Sequence, residues 1–340
     1  MAELQKVSDL QLEDLPDEMI LKVLSYLNIG DLMRCGKVSK RFGKIRDIES
    51  LWQNVNLSYG SDAYNLDAYG GKSCQPVKAN FIKFLLDKGC ERLNLYHAKT
   101  GIKGSLKLEG PSKLKRLNLQ ACWGNEPAVK EILNSCYILQ KLSLEELDFD
   151  FVKQLILRNS KTLQTINMVL FDPLKDDSKV DFFGCCLKLT EFKITGITNF
   201  EIRSDQLDLM IDSFPPNLLK LELLNFEELS DLHIEKLVRK CDKITAISLF
   251  YTCVTNQSVT TIVRYLKNSL EVLDLQGCSY VSLDTIFEAV RNLTQGLLLC
   301  LTQLKILYYD VHTAEERCKK SAKRPKMCGN CESLKKERPG

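Results

Sequence analysis

The chain has 340 residues, 44% of them hydrophobic and 27% charged, with a net charge of +3; this is the composition of an ordinary globular protein, without the bulk charge of a nucleic-acid or membrane binder. The start Met1-Ala2-Glu3-Leu4-Gln5 has no basic residue and no apolar core, so no secretory signal is expected, and no stretch approaches the roughly 18 apolar residues of a membrane-spanning helix. Without such a signal, the 14 cysteines are expected as reduced thiols in the cytoplasm or nucleus rather than as a disulfide framework.

Residues 10–57 read as three short helices. Leu15-Pro16-Asp17-Glu18 is a helix start, because proline suits the first turn and acidic side chains complement the helix dipole. Ile20, Leu21, Leu24 and Leu27 follow as one apolar stripe. Asn28-Ile29-Gly30 breaks the pattern. Asp31 is the expected N-cap of a second helix carrying Leu32, Cys35 and Val38. Ser39 is the expected N-cap of a third, carrying Phe42, Ile45 and Ile48, and Leu51-Trp52 closes the module. So small a unit buries little apolar surface and must lean on something else, either the rest of the chain or another protein.

Four blocks in order carry a resemblance: Leu15-Pro16-Asp17-Glu18, Leu24-Ser25-Tyr26-Leu27, Val38-Ser39-Lys40-Arg41-Phe42 and Leu51-Trp52-Gln53. Together they resemble the F-box motif, with Ser39 and Phe42 where that family usually has Cys and Trp. The resemblance implies docking to a Skp-type adaptor that bridges to a cullin. It also implies that Leu15, Pro16, Ile20, Leu24, Leu32, Val38 and Trp52 contact or shape that interface. A bare N-terminal cap for the repeats that follow is the other reading of this segment.

Residues 58–76 are rich in Gly, Tyr, Asp and Ser and read as a loop or linker, followed by a helix over 77–88. From there to 311 the pattern Leu-x-x-Leu-x-Leu recurs about nine times, as in 114–119, 139–144, 218–223 and 270–275. Its second apolar position falls at Leu93, Leu117, Leu142, Ile166, Phe192, Leu221, Ile247, Leu273 and Leu307. That spacing is the period of leucine-rich repeats, with two longer units. Amphipathic helices are expected between the strands, for example over 128–136, 151–158, 231–239, 258–267 and 283–291. Ser230, Asn256 and Ser282 are the expected N-caps of the last three. The fold class is therefore α/β: a three-helix module, then a horseshoe solenoid with parallel strands concave and helices convex. Cys122, Cys253 and Cys278 follow their strands and are expected in the core, as are Cys136 and Cys241 at helix ends. The whole resembles the F-box-plus-leucine-rich-repeat family of substrate receptors.

On each strand the two leucines of Leu-x-Leu point inward, so the residue between them and the residue just after them face the concave side. Early repeats place polar groups there, such as Asn94, Asn118, Ser143 and Asn167, whereas later ones place Leu224, Phe250 and Tyr308, with Tyr251 adjacent. These four form the candidate substrate patch. Trp123 reads as core or contact. The tail over 312–340 is basic; Lys319, Lys320, Lys323, Arg324 and Lys326 suit nuclear import, an acidic partner or plain solvation. His312, Cys318, Cys328 and Cys331 have the makings of a zinc site, although no metal or other cofactor is expected.

Three scattered histidines (His97, His233 and His312) and no phosphate loop, dinucleotide fingerprint or nucleophile elbow argue against an enzyme. Mixed charge on the strand face argues against a nucleic-acid reader. The expected role is a non-catalytic subunit of a ubiquitin ligase, whose module holds the adaptor and cullin while the repeats hold a protein destined for degradation. The alternative is a leucine-rich-repeat scaffold without that role.

Overall fold

The computed structural model describes residues 12–58, 77–96, 102–103, 106–122, 126–145, 149–171, 180–197, 201–294 and 303–305. The chain divides into two units, residues 1–143 and 144–340.

In the first unit a 3-10 turn (Leu12–Asp14) leads into α1 (Asp17–Leu24), α2 (Ile29–Cys35) and α3 (Lys40–Arg46). Pro16 stands at the N-cap of α1, with Asp17 and Glu18 in its first turn. The cap of α2 is Asn28 rather than Asp31: the Asn28 side chain accepts from the Asp31 backbone N–H at 2.9 Å and donates to its carboxylate at 2.8 Å. Ser39 caps α3 as expected, accepting from Phe42 N–H at 3.2 Å. Val38 and Ile48 lie beyond the ends of α2 and α3 and are exposed, because each helix lasts only two turns. Ile20, Leu24, Leu32, Phe42, Ile45 and Trp52 form the core.

That core does not close on itself. A 3-10 turn (Glu49–Leu51) hands the chain to β1 (Asn54–Asn56), and α4 (Ala79–Asp87) follows β2 (Val77–Lys78). Two rings on α4 meet the fully buried Trp52 edge-on: Phe84 at 5.0 Å and Phe81 at 6.4 Å between centroids. The indole N–H donates to Arg46 O at 2.6 Å. Residues 77–78, expected as helix, instead pair in parallel with β4 (Ile102–Lys103), an element without a signal in the sequence.

After β3 (Arg92–Asn94) come β5 (Arg116–Asn118), α5 (Glu126–Asn134) and β6 (Lys141–Glu145), whose last two residues fall to the second unit. Strands β1, β3, β5 and β6 pair in parallel, and Val55, Leu93, Leu117 and Leu142 lie in register.

The second unit repeats strand and helix: α6 (Phe149–Asn159), β7 (Thr165–Leu170), a 3-10 turn (Phe183–Cys185), β8 (Glu191–Gly196), α7 (Ser204–Ser213), β9 (Lys220–Leu224), α8 (Asp231–Lys240), β10 (Ala246–Ser248), α9 (Asn256–Leu266), β11 (Val272–Asp274), α10 (Leu283–Thr294) and β12 (Gln303–Lys305). Strands β7 to β12 are all parallel. Ile166, Phe192, Leu221, Ile247, Leu273 and Leu304 share one register. The final step from Leu273 therefore ends at Leu304 and not at Leu307. Both lie in Leu304-Lys305-Ile306-Leu307, and spacing alone does not say which leucine takes the register position. Each fully buried leucine of this column contributes about 1.5–3 kcal/mol.

Neighbouring units are also tied at their helix starts. Asp231, the first residue of α8, accepts at Oδ1 from the N–H groups of Thr255 and Ser258, both at 3.1 Å, and from the Ser258 hydroxyl. Its Oδ2 accepts from Thr255 Oγ1 at 2.7 Å. Thr255, not Asn256, is thus the cap of α9, while Asn256 Oδ1 reaches on to Ser282 N–H at 2.7 Å. Ser230 and Ser282 stand where expected, each holding the N–H or side chain of the first turn that follows. Removing Asp231 strands donors of the next helix, so Asp231→Ala is expected to lower stability by about 2 kcal/mol in urea titration. Asp231→Asn should retain part of the clamp, and equal loss in both variants would refute this account.

Candidate functional site

Helix α1 is apolar on two faces, and only one is used internally. Ile20 and Leu24 point into the core. Met19 and Val23, four residues apart, share a flank about 100° around the helix from them, and Pro16 at the N-cap and Tyr26 just past the C-cap extend this apolar run in the sequence. Met19 is 53% exposed, Val23 41% and Tyr26 75%. Leu12 continues the stripe before the helix, and Val38, 69% exposed, belongs to the same small module. An apolar stripe of this length on a solvent-facing helix marks an interaction surface.

The strand of chain leading into this face is fixed from behind. The Arg41 guanidinium donates to Leu15 O at 2.7 Å, to Glu13 O, and to Asp17 Oδ1 at 2.8 Å. It thereby holds Leu15-Pro16 against α3. In the sequence Arg41 is one letter of a motif block with no role of its own. Its partner Asp17 lies on α1, with the whole of α2 between them in the chain, and such a pairing has no local signature.

The predicted adaptor residues separate into two sets. Leu15 is half-buried, while Pro16 and Val38 are exposed. Ile20, Leu24, Leu32 and Trp52 are core residues that no partner can touch while the module is folded. They support the surface from beneath, and the exposed apolar side chains next to them in the sequence are Met19, Val23 and Tyr26. Periodicity reports that a helix has an apolar face, not which of two faces the chain keeps for itself.

The second candidate surface lies on the strands of the second unit. Leu224 and Phe250 are half-buried, and Tyr251 is 38% exposed. The Phe250 and Tyr251 rings meet edge-on with centroids 4.4 Å apart. Tyr251 adopts φ +52°, a left-handed conformation uncommon for a bulky residue. Ala121 (φ +53°), Asn225 (φ +63°) and Gly277 (φ +79°) occupy the equivalent position, four residues after the register residues Leu117, Leu221 and Leu273. The left-handed exit is thus a feature of the repeat, and the tyrosine is the bulkiest side chain placed on it. Tyr308 lies outside the described residues, as do Trp123, His97, residues 59–76 and the tail with His312, Cys318, Cys328 and Cys331.

The polar groups of the early strands serve local ends. Asn94 and Asn118 turn their Oδ1 atoms onto the N–H groups of Tyr96 and Gln120, at 3.0 and 3.1 Å, closing the strand exits. Ser143 is buried.

Buried His233 hydrogen-bonds Ser230 Oγ at 3.0 Å and Ser204 Oγ at 3.2 Å, with Asp208 Oδ2 3.9 Å from its Nε2. Cys90, Cys136, Cys241 and Cys278 are buried, whereas Cys122 and Cys253, expected in the core, are only half-buried because their turns lie at the edge of it. Burial pushes the Cys90 thiol up to about 12 and those of Cys122 and Cys241 to about 11, the opposite of a nucleophile's tuning. Among the described residues no cluster of three or more His, Cys, Asp or Glu could hold a metal ion, and no helix is long and apolar enough to cross a membrane. A cleft of about 800 Å³ in the first unit is lined by Lys107, Pro111, Lys113, Glu131, Tyr137 and Ile138 among others, with no nucleophile beside a base.

The apolar stripe, its Arg41 brace and the three-helix core all lie in one segment that a family model recognises. Residues 12–58 match the family described as F-box-like, and the helical module is therefore an F-box-like domain.

Proposed function

We propose that this chain is the substrate-recognition subunit of a Skp–cullin–F-box ubiquitin ligase. The carrying observation is the solvent-facing stripe Pro16–Met19–Val23–Tyr26 inside the F-box-like segment. A domain of this kind supports an adaptor-binding role, and the adaptor would link the chain to a cullin. The α/β unit that follows, with parallel strands that share one register, would be a leucine-rich-repeat solenoid. It would present a protein substrate on its strand face, with Phe250 and Tyr251 as anchors. The chain itself would form no covalent bond. It would raise the effective concentration of substrate lysines near a recruited ubiquitin-charged enzyme, leading to proteasomal degradation. Such a subunit works in the cytoplasm or nucleus.

The test is capture of a Skp-type adaptor and cullin by the full chain beside a Leu15→Ala/Pro16→Ala variant. Adaptor and cullin should co-purify with the wild type and be lost from a variant with an unchanged circular dichroism spectrum. Absence of both from the wild type would leave a repeat scaffold without a ligase role.

A further inference from the structure

The strand faces of the two units treat charge differently. In the second unit, charged residues opposite one another have opposite signs. Glu191 and Lys220 are register partners and pair at 3.0 Å; Lys193 and Glu222 are register partners and pair at 2.5 Å. This is the arrangement expected of a sheet left to its own stability.

The first unit does the reverse. Arg92 on β3 is in register with Arg116 on β5, which is in register with Lys141 on β6. Each precedes its register leucine, so all three share the face opposite the core. All three are exposed. Adjacent strands lie about 4.8 Å apart, so three like charges stand in a row, an arrangement that destabilises a sheet. None of the three has an ion pair among the described residues.

Glu91, next to Arg92 in the chain, and Glu49 are already engaged. Glu91 accepts from Lys115 at 2.8 Å, and Glu49 faces Lys113 at 3.4 Å. The hydrogen bond from Lys115 holds the Glu91 carboxyl below its usual range, and the charges of Lys115, Arg92 and Lys113 add to it. The cationic excess therefore survives local neutralisation. The next row of the face, Asn94, Asn118 and Ser143, is uncharged.

We infer that the row Arg92–Arg116–Lys141 is a docking strip for an acidic segment of a captured protein. This rests on the substrate-receptor reading and adds to it the chemistry of the substrate. Charge complementarity selects the occupant. The chain's own segment 312–340, with nine Lys and Arg against four Glu, is repelled. A nucleic acid is disfavoured because the strip is three residues wide and a net charge of +3 gives little long-range field.

The experiment uses the full chain and a short fluorescent oligoglutamate peptide, followed by anisotropy. The wild type should bind it, and more weakly as salt screens the strip. Arg92→Gln/Arg116→Gln/Lys141→Gln should bind about tenfold more weakly, since each exposed charge pair contributes modestly. The same variant should melt at or above the wild-type temperature, because like-charge repulsion is relieved. The control Lys161→Gln/Lys243→Gln/Lys267→Gln removes three exposed cations of the second unit and should bind as wild type. Single Arg116→Gln, with a smaller loss, serves if the triple variant does not fold. No wild-type binding, an equal loss in the control, or stronger binding of an oligouridylate of matched length would overturn the inference. Adaptor capture is measured on the same samples. Retained capture with an unaffected peptide signal would refute the strip alone, whereas lost wild-type capture with the strip effect intact would refute the ligase reading alone.

Discussion

Met19→Glu/Val23→Glu is expected to abolish adaptor capture while leaving the fold untouched. Both side chains face solvent in the centre of the stripe on α1, 53% and 41% exposed, so the free protein loses almost no packing and its melting temperature should move little. In a complex those positions would be desolvated. Burying two unpaired carboxylates against an apolar partner surface costs several kcal/mol, so affinity should fall by about 100-fold or more. Isothermal titration of adaptor into each protein measures this. Wild-type affinity in the double variant would exclude this face as the contact. Leu21→Glu, on a half-buried flank of the same helix, serves as contrast: it should reduce stability first and capture only in consequence.

Trp52→Ala is expected to have the largest effect on stability. The ring is fully buried between the helical module and α4, it meets Phe84 and Phe81 edge-on, and its N–H is satisfied by Arg46 O. Deleting such a side chain costs about 3–5 kcal/mol, which corresponds to a melting-temperature drop on the order of 10 °C. Trp52→Phe keeps an aromatic ring but leaves the Arg46 carbonyl without its donor, so it should fall between, at about 1–3 kcal/mol. A drop of only a degree or two for the alanine variant would mean that the module folds independently of α4. The expected result is instead that adaptor capture and thermal stability decline together.

The sequence carried the parallel strand repeat clearly because its period is written in large apolar residues, mostly leucine. Leu93, Leu117 and Leu142 stand in register as spaced, and so do Leu221, Ile247 and Leu273. Where the pattern offered two leucines within one short run, at 304 and 307, spacing could not choose. The helices named from the sequence were legible to within about three residues at their ends. Their caps were less so: Asn28 competes with Asp31 and Thr255 with Asn256, and only backbone conformation decides between neighbouring cap formers. The exposed apolar flank of α1 was hidden for a deeper reason. A helix with adjoining buried and exposed apolar flanks yields one periodic signal, and burial of Ile20 and Leu24 is a property of what packs beneath them. Arg41 bonding Leu15 and Asp17, and the pairing of β2 with β4, are contacts distant in sequence that no local pattern encodes. The strip Arg92–Arg116–Lys141 is invisible in the sequence because each member stands one full repeat from the next, and only the register brings them side by side.

The left-handed strand exits have a consequence for how this chain can change. At Gly277 a Cβ would stand 2.8 Å from the ring of Tyr251, and the backbone there has φ +79°. The ring of one repeat therefore lies where the side chain of the next would begin. The two positions are a single heritable unit. A larger residue at 277 escapes the clash only after 251 has shrunk, and even then must hold a left-handed φ; a shrunken 251 removes the ring proposed to hold a substrate. The neighbouring exit at Asn225 is constrained in another way, by its own left-handed φ of +63° and by the hydrogen bond its Nδ2 donates to Gly196 O at 2.8 Å.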